Sequence, residues 1–259
     1  HPVAHSFPTR RSSDLEEVIE INLNDSDPAL VAEASILLDS TCSVKLSYTS
    51  NYFDSSGSEP EENAIITLYD NEGRSEMLYH TGNGVYRGMD IRGSEGNNYV
   101  LNVLVDGIDY RAVSSIMDKP QIYDLEYERL DIPHNVEENI YTINNILIDD
   151  TETDNYYMMR YYRNGERLDD YYSLHNDSFL KADTIVYSDF RLAFYKYDTV
   201  RVDVFAIDEN IYRYFDQVNE VLFSAMRSST PYNPPSNFNN DILGYFMAAS
   251  FDSKTIIIR

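Results

Sequence analysis

An all-β fold is what this sequence predicts, and three observations predict it. Short runs of β-branched and aromatic residues recur along the chain, and most alternate apolar with polar, the period of a half-buried strand. They are punctuated by turn signals such as Asp70-Asn71-Glu72-Gly73, Gly82-Asn83-Gly84, Asp106-Gly107 and Asn164-Gly165. One stretch, residues 208–227, carries helical periodicity over several turns. The expected architecture is an immunoglobulin-like or prealbumin-like β-sandwich over residues 16–117. A second β-rich sandwich or barrel follows over 118–259, with one amphipathic helix near 208–227.

Residues 1–15 resemble no start of a folded domain, and back-translation of His5 to Leu15 gives a common sequencing-library adapter. They are expected to be an assembly artefact that packs against nothing. The alternative is a basic arm carrying Arg10 and Arg11. Residues 16–23 alternate through Ile19, Ile21 and Leu23 and read as a strand. An acidic turn follows, then strands over 29–38 and 43–48, the latter with Val44, Leu46 and Tyr48 on one face. Residues 51–63 are too polar to pack and read as a loop.

Residues 64–112 read as a meander of antiparallel strands. Tyr99, Leu101, Val103 and Val105 supply a fully apolar face, and Asp106-Gly107 turns the chain into Ile108, Tyr110 and Ala112. Residues 117–120 look like a linker, with Pro120 fixing the backbone. Residues 122–130 form a strand with a face of Tyr123, Leu125 and Tyr127, and 131–153 read as irregular and acidic. Residues 156–172 form a hairpin about a type I′ turn at Asn164-Gly165. Strands over 184–187 and 199–206 continue a sheet, with Val200, Val202 and Val204 inward. In the helix, Ile211, Tyr214, Phe215, Val218, Val221, Leu222 and Ala225 share a face and Asp208 is placed to cap it. The Pro/Asn loop over 228–240 is expected against the second unit, and strands over 243–249 and 254–258 close the chain.

Composition limits the partners. With 44 acidic against 20 basic residues the net charge is −24, a surface that repels phosphate backbones and excludes nucleic-acid binding or docking of a basic patch on anionic lipid. The apolar share of 42% is too high for disorder, and 23 Tyr supply amphipathic surface. Cys42 stands alone, so neither a disulfide framework nor a Cys-type metal site is available, and it reads as a buried inert thiol.

The order of these signals resembles one family. Glu16-Glu17-Val18-Ile19, Leu30-Val31, Val44-Lys45-Leu46, Asn51-Tyr52-Phe53 and the run from Ala64 to Gly73 come first. Gly84-Val85-Tyr86, Tyr99-Val100-Leu101, Val105 to Ala112, Asn233-Pro234-Pro235-Ser236-Asn237 and Leu243-Gly244-Tyr245-Phe246 follow. Together they resemble the Bacteroidota surface-lipoprotein family catalogued as domain of unknown function 4249, over essentially all of residues 16–259. The resemblance implies a lipidated Cys directly before the first strand. Here that position is Leu15, inside the adapter-like segment, so the N-terminal lipid is missing from this sequence. It further implies attachment to the outer membrane or cell surface and often a gene beside a TonB-dependent receptor, which makes such an outer-membrane receptor the expected partner; it brings no known catalytic residues to carry over, and no cofactor is expected.

Candidate chemistry is sparse. Outside the first 15 residues the histidines are His80, His134 and His175, none at metal-ligand spacing, and no His-Glu-x-x-His, Gly-x-Ser-x-Gly or phosphate-cradling Gly loop occurs. Asp150, Glu152 and Asp154 alternate like the start of a calcium loop. Asn155 stands where that loop needs Gly and Tyr161 where it needs Glu, so a solvated acidic loop is the plainer reading. The pairs Tyr156/Tyr157, Tyr161/Tyr162 and Tyr171/Tyr172 can stack on a sugar or peptide, although alternation puts one ring of each pair in the core. Tyr156, Tyr161, Tyr171 and the loop residue Tyr232 are the candidate binding residues. The expected function is a non-enzymatic binding or accessory module; the alternatives are a loop-assembled hydrolase and a structural adhesin.

Overall fold

The computed structural model describes residues 28–50, 57–131, 139–149, 152–168, 171–178, 182–225 and 233–259. The adapter-like segment, the first expected strand, His134, Asp150 and Tyr232 lie outside these described residues. Among the described residues the fold is all-β with one helix, and none of the sheets closes into a barrel.

The strands in chain order are β1 (Leu30–Leu37), β2 (Thr41–Tyr48), β3 (Ile65–Asp70), β4 (Ser75–Met77), β5 (Tyr79–Gly82), β6 (Val85–Arg92), β7 (Asn98–Val105) and β8 (Ile108–Ser115). After the linker come β9 (Gln121–Leu130), β10 (Ile140–Ile148), β11 (Tyr156–Arg163), β12 (Glu166–Arg167), β13 (Ser173–Asn176), β14 (Thr184–Ser188), β15 (Phe194–Tyr195) and β16 (Thr199–Ile207). Helix α1 (Glu209–Ala225) and β17 (Leu243–Ile257) complete it.

A nine-stranded sheet forms the frame, in the order β12-β11-β16-β17-β1-β2-β6-β5 with β13 also on β11. Two four-stranded sheets, β4-β3-β7-β8 and β14-β10-β15 with β9 on β10, pack on it. The 15-residue β17 joins the halves: Leu243–Ala249 runs parallel to β1, and Ser250–Ile257 runs antiparallel to β16. Its alternation assigns the layers. Phe246 and Ala248 enter the first core, Ile256 and Ile258 pack in the second, and Met247 and Ala249 lie under α1 on the opposite face. Both small sheets therefore cover one face of the long sheet, and the helix covers the other.

The polar run Ser250 to Ser253 reads as a break between two strands, but β17 is continuous because each group is held. Ser250 Oγ donates to the Asp118 carbonyl (3.2 Å), Asp252 accepts from the Ile122 N–H (3.2 Å), and Ser253 Oγ donates to Asp203 (2.6 Å). The stretch 64–112 is likewise not one meander. β5 and β6 leave for the long sheet while β3, β4, β7 and β8 build the opposing layer. Asn83-Gly84, Asp106-Gly107 and Asn164-Gly165 all take positive φ at both positions, as type I′ hairpin turns require.

The segment read as irregular contains β10, the centre of the second small sheet. Its buried Asn145 conceals the strand pattern, and the Asn145 amide donates to the Tyr161 hydroxyl (2.8 Å) and the Tyr187 carbonyl (2.9 Å). On β9 a bulge falls at Tyr123, where Asp124 pairs with Ile146 and Ile122 with Leu147. The extra residue brings Ile122 onto the core face with Leu125 and throws Tyr123 out to 67% exposure. The described part of the Pro/Asn loop packs on the first unit, not the second. Phe238 enters the first core, Asn239 exchanges hydrogen bonds with the Arg111 backbone, and Asn237 and Asn240 amides donate to the Val113 and Asp109 carbonyls. Its asparagines thus cap the edge of β8.

Candidate functional site

The second unit gathers reactive side-chain types around β13. Ser173 Oγ lies 3.1 Å from His175 Nε2, and the His175 ring packs on Tyr187 with centroids 4.5 Å apart. Asp189, also buried, accepts from the Arg191 N–H (3.2 Å) and guanidinium (3.3 Å), and that guanidinium lies 3.8 Å over the Tyr171 ring. Burial works to raise the Asp189 carboxyl. The neighbouring Tyr171 and Ser173 hydroxyls and Arg191 outweigh it, and the group sits below the usual carboxylate range. Burial dominates at His175 and lowers its pKa to about 4, against the opposing pull of Asp189.

Ser, His and Asp thus converge, but in the wrong order for acyl transfer. A hydrolytic triad needs the carboxylate on the imidazole and the imidazole on an open serine. Here the carboxylate is held by Arg191 beside the hydroxyls, the imidazole is stacked on Tyr187, and Ser173 is 2% exposed. The group is built as a polar core. A neighbouring network lines a cavity of about 210 Å³ beside the linker: Tyr157 donates to Asp149 (3.0 Å), and Asn155 binds both Asp149 (3.2 Å) and Asp177 (3.2 Å).

The candidate tyrosines separate as strand alternation dictates. Tyr161 is a core side chain accepting the Asn145 amide, so it offers no open ring. Tyr156 is half-buried against Tyr212 (5.1 Å), and Tyr171 is half-buried beneath Arg191. Glu152 and Asp154 are exposed, their intended partner Asp150 lies outside the described residues, and among the described residues no three acidic, His or Cys side chains converge to hold a metal. Cys42 is buried, and burial raises its thiol.

A different group opens on the helix side of the long sheet. Arg160 and Tyr162 share that face of β11. Tyr162 pairs across to Arg167 on β12 and Arg201 on β16, and Arg160 faces Asp203. The Arg201 guanidinium stacks 3.8 Å from the Tyr162 ring centroid, and Arg160 lies 4.6 Å over Phe205, which itself stacks on Phe251 (5.4 Å). Asn219 of α1 clips the wall of this face. Its carboxamide oxygen accepts from the Tyr172 N–H (2.9 Å), and its amide donates to the Tyr172 carbonyl (2.7 Å). The signal was present in Met158-Met159-Arg160-Tyr161-Tyr162-Arg163. Read at period two it puts Met159 and Tyr161 inward and Arg160 and Tyr162 together on the other side.

The family model described as a domain of unknown function (DUF4249) matches residues 16–255. A search of curated proteins finds no match.

Proposed function

The chain belongs to the family described as domain of unknown function 4249, and from that premise we propose that it is a non-enzymatic binding module. It is held by a lipid at the outer membrane or cell surface and works beside a TonB-dependent receptor. The observation that carries this reading is the contrast between its two polar groupings. Ser173 and Asp189 are buried and His175 is half-buried on Tyr187, whereas Arg160 and Tyr162 are half-buried and Arg201 is exposed on one face of the long sheet. A buried serine presents no open nucleophile, and a charged aromatic face is the anatomy of recognition. No helix among the described residues is long and apolar enough to cross a membrane.

Tethering gives such a module a high effective concentration beside an integral partner, so a weak contact is well occupied. The net charge of −24 steers it towards a basic partner surface and makes the contact sensitive to salt. The test is co-purification of the lipid-anchored protein from outer membranes at low and high salt. Recovery of a TonB-dependent receptor, weakened by salt, is the expected result. Absence of a membrane partner, together with turnover of a defined substrate abolished by one point mutation, would overturn it.

A further inference from the structure

Among the described residues, Arg160 is a cation without a counter-ion. It is half-buried, and among the described residues no carboxylate lies within ion-pair distance of it; its Nε is buried with no hydrogen-bond partner. Asp203, directly across the strand, is taken up by Arg201 (3.2 Å) and by the Ser253 hydroxyl (2.6 Å). What Arg160 does have is the Phe205 ring at 4.6 Å. A cation–π contact is small against the cost of removing an unpaired cation from water. Arg167 adds a second positive charge nearby, and burial and Arg167 together lower the Arg160 pKa. In a chain of net charge −24, a carboxylate within reach of Arg160 would be easy to supply. The sequence supplies tyrosines around it instead: Tyr162, Tyr172 and Tyr245.

The charge count selects the ligand. Arg201 is neutralised by Asp203, which leaves Arg160, with Arg167 nearby, as the cation on this face without a described counter-ion. The chain's net charge of −24 disfavours polyanions. A planar guanidinium takes a carboxylate in a two-pronged hydrogen bond; Phe205 is buried beneath it, and the half-buried Tyr162 ring beside it offers flat contact to the body that carries the carboxylate. We propose that Arg160, flanked by Tyr162 and Phe205, binds a single carboxylate carried on a flat or ring-shaped body. This rests on the reading of the protein as a binding module and names the chemistry of its site. A sugar acid and an aromatic acid present the same headgroup, and the experiment separates them.

The test is a titration of the full chain with glucuronate and with benzoate, each beside its neutral counterpart, glucose and benzamide, and with inorganic phosphate. One of the two carboxylates is expected to saturate the protein and to bind at least tenfold more tightly than its neutral counterpart; which one identifies the source. Arg160→Gln is expected to weaken that binding at least tenfold, and Arg160→Lys to weaken it less, since the charge remains and the fork is lost. The Arg160 Nε–H resonance of the unsubstituted protein is expected to shift during the titration, a readout independent of whether a variant folds. Equal binding of the neutral counterpart, tighter binding of phosphate, an unmoved Arg160 resonance, or no binding of either carboxylate would overturn the proposal. A receptor that still co-purifies after such a failure would leave the module reading standing and remove only this ligand class. Carboxylate binding without a receptor would do the reverse.

Discussion

Arg160 and Asp203 stand directly across β11 and β16 from one another, and Asp203 nonetheless directs its carboxylate to Arg201 and Ser253. The bond along β16 between residues two apart takes precedence over the bond across strands, because Ser253 of β17 fixes the carboxylate on that side. Removing the fixing hydroxyl should release Asp203 towards Arg160. Ser253→Ala is therefore expected to lower the affinity of the carboxylate ligand, because Asp203 becomes an internal competitor. Measuring carboxylate affinity in this variant checks it, and unchanged affinity would show that Asp203 is held by Arg201 alone.

Gly244 sets the register of the strand that joins the two halves. It lies at φ +95°, and a Cβ added there would stand 2.0 Å from the Ala32 carbonyl oxygen. Neither the conformation nor the space suits an L side chain. Gly244→Ala should cost about 3 kcal/mol or more in urea denaturation, the upper end for a backbone strain site. A loss under about 1 kcal/mol would mean that β1 and β17 part easily there.

Asp208 acts on both halves at once. Its Oδ1 accepts the Ile211 N–H (3.1 Å) as the cap of α1, and its Oδ2 accepts the Ser114 hydroxyl from β8 of the first unit. Ser114 Oγ in turn accepts the Ala248 N–H (2.8 Å). Asp208→Ala should cost about 1–3 kcal/mol, the loss of a cap plus an unpaired buried hydroxyl. A double-mutant cycle with Ser114→Ala is expected to give a coupling of about 0.5 kcal/mol or more. Additive effects would show that the two halves are not coupled through this contact.

His175 gives the protein an acid-side weakness. Burial lowers its pKa from 6.5 to about 4, so between these values the unfolded chain binds a proton that the folded chain refuses. Its neutral form is accommodated fully above pH 6.5, and stability falls as pH drops from 6.5 towards 4, with a slope of at most about 1.4 kcal/mol per pH unit. His175→Gln should flatten that window in denaturation curves run at several pH values. Loss confined to pH below 4 would point to Asp70 and Asp189, whose carboxyls are lowered, and away from His175.

Much of the fold was legible because its elements obey local rules. The I′ turns were spelled by Asn-Gly and Asp-Gly, and the capped helix by Asp208 before Ile211 and Phe215. What escaped was what long-range partners decide. The β10 strand hides behind Asn145, whose buried amide N–H groups are taken up by Tyr161 and Tyr187, and β17 runs through Ser250 and Asp252 because Asp118 of the linker and Ile122 of β9 bind them. The same holds at the candidate site. Alternation divided Tyr156/Tyr157 and Tyr161/Tyr162 into core and face, but Tyr171 and Tyr172 precede β13 and are both half-buried, and which face would stay open depended on where α1 and the small sheets packed. No local pattern announces that Asp203 turns away from Arg160.

The measurement that bears most directly on the account is the stability of Arg160→Met in the absence of ligand. An arginine kept unpaired for binding is a liability to the fold, and a methionine of similar reach can pack on Phe205 without a charge to bury. The variant is expected to be as stable as the unsubstituted protein or up to about 2 kcal/mol more stable, while losing the carboxylate response. A loss of about 2 kcal/mol or more would contradict the account, because Arg160 would then be holding the sheet together and not waiting for a ligand.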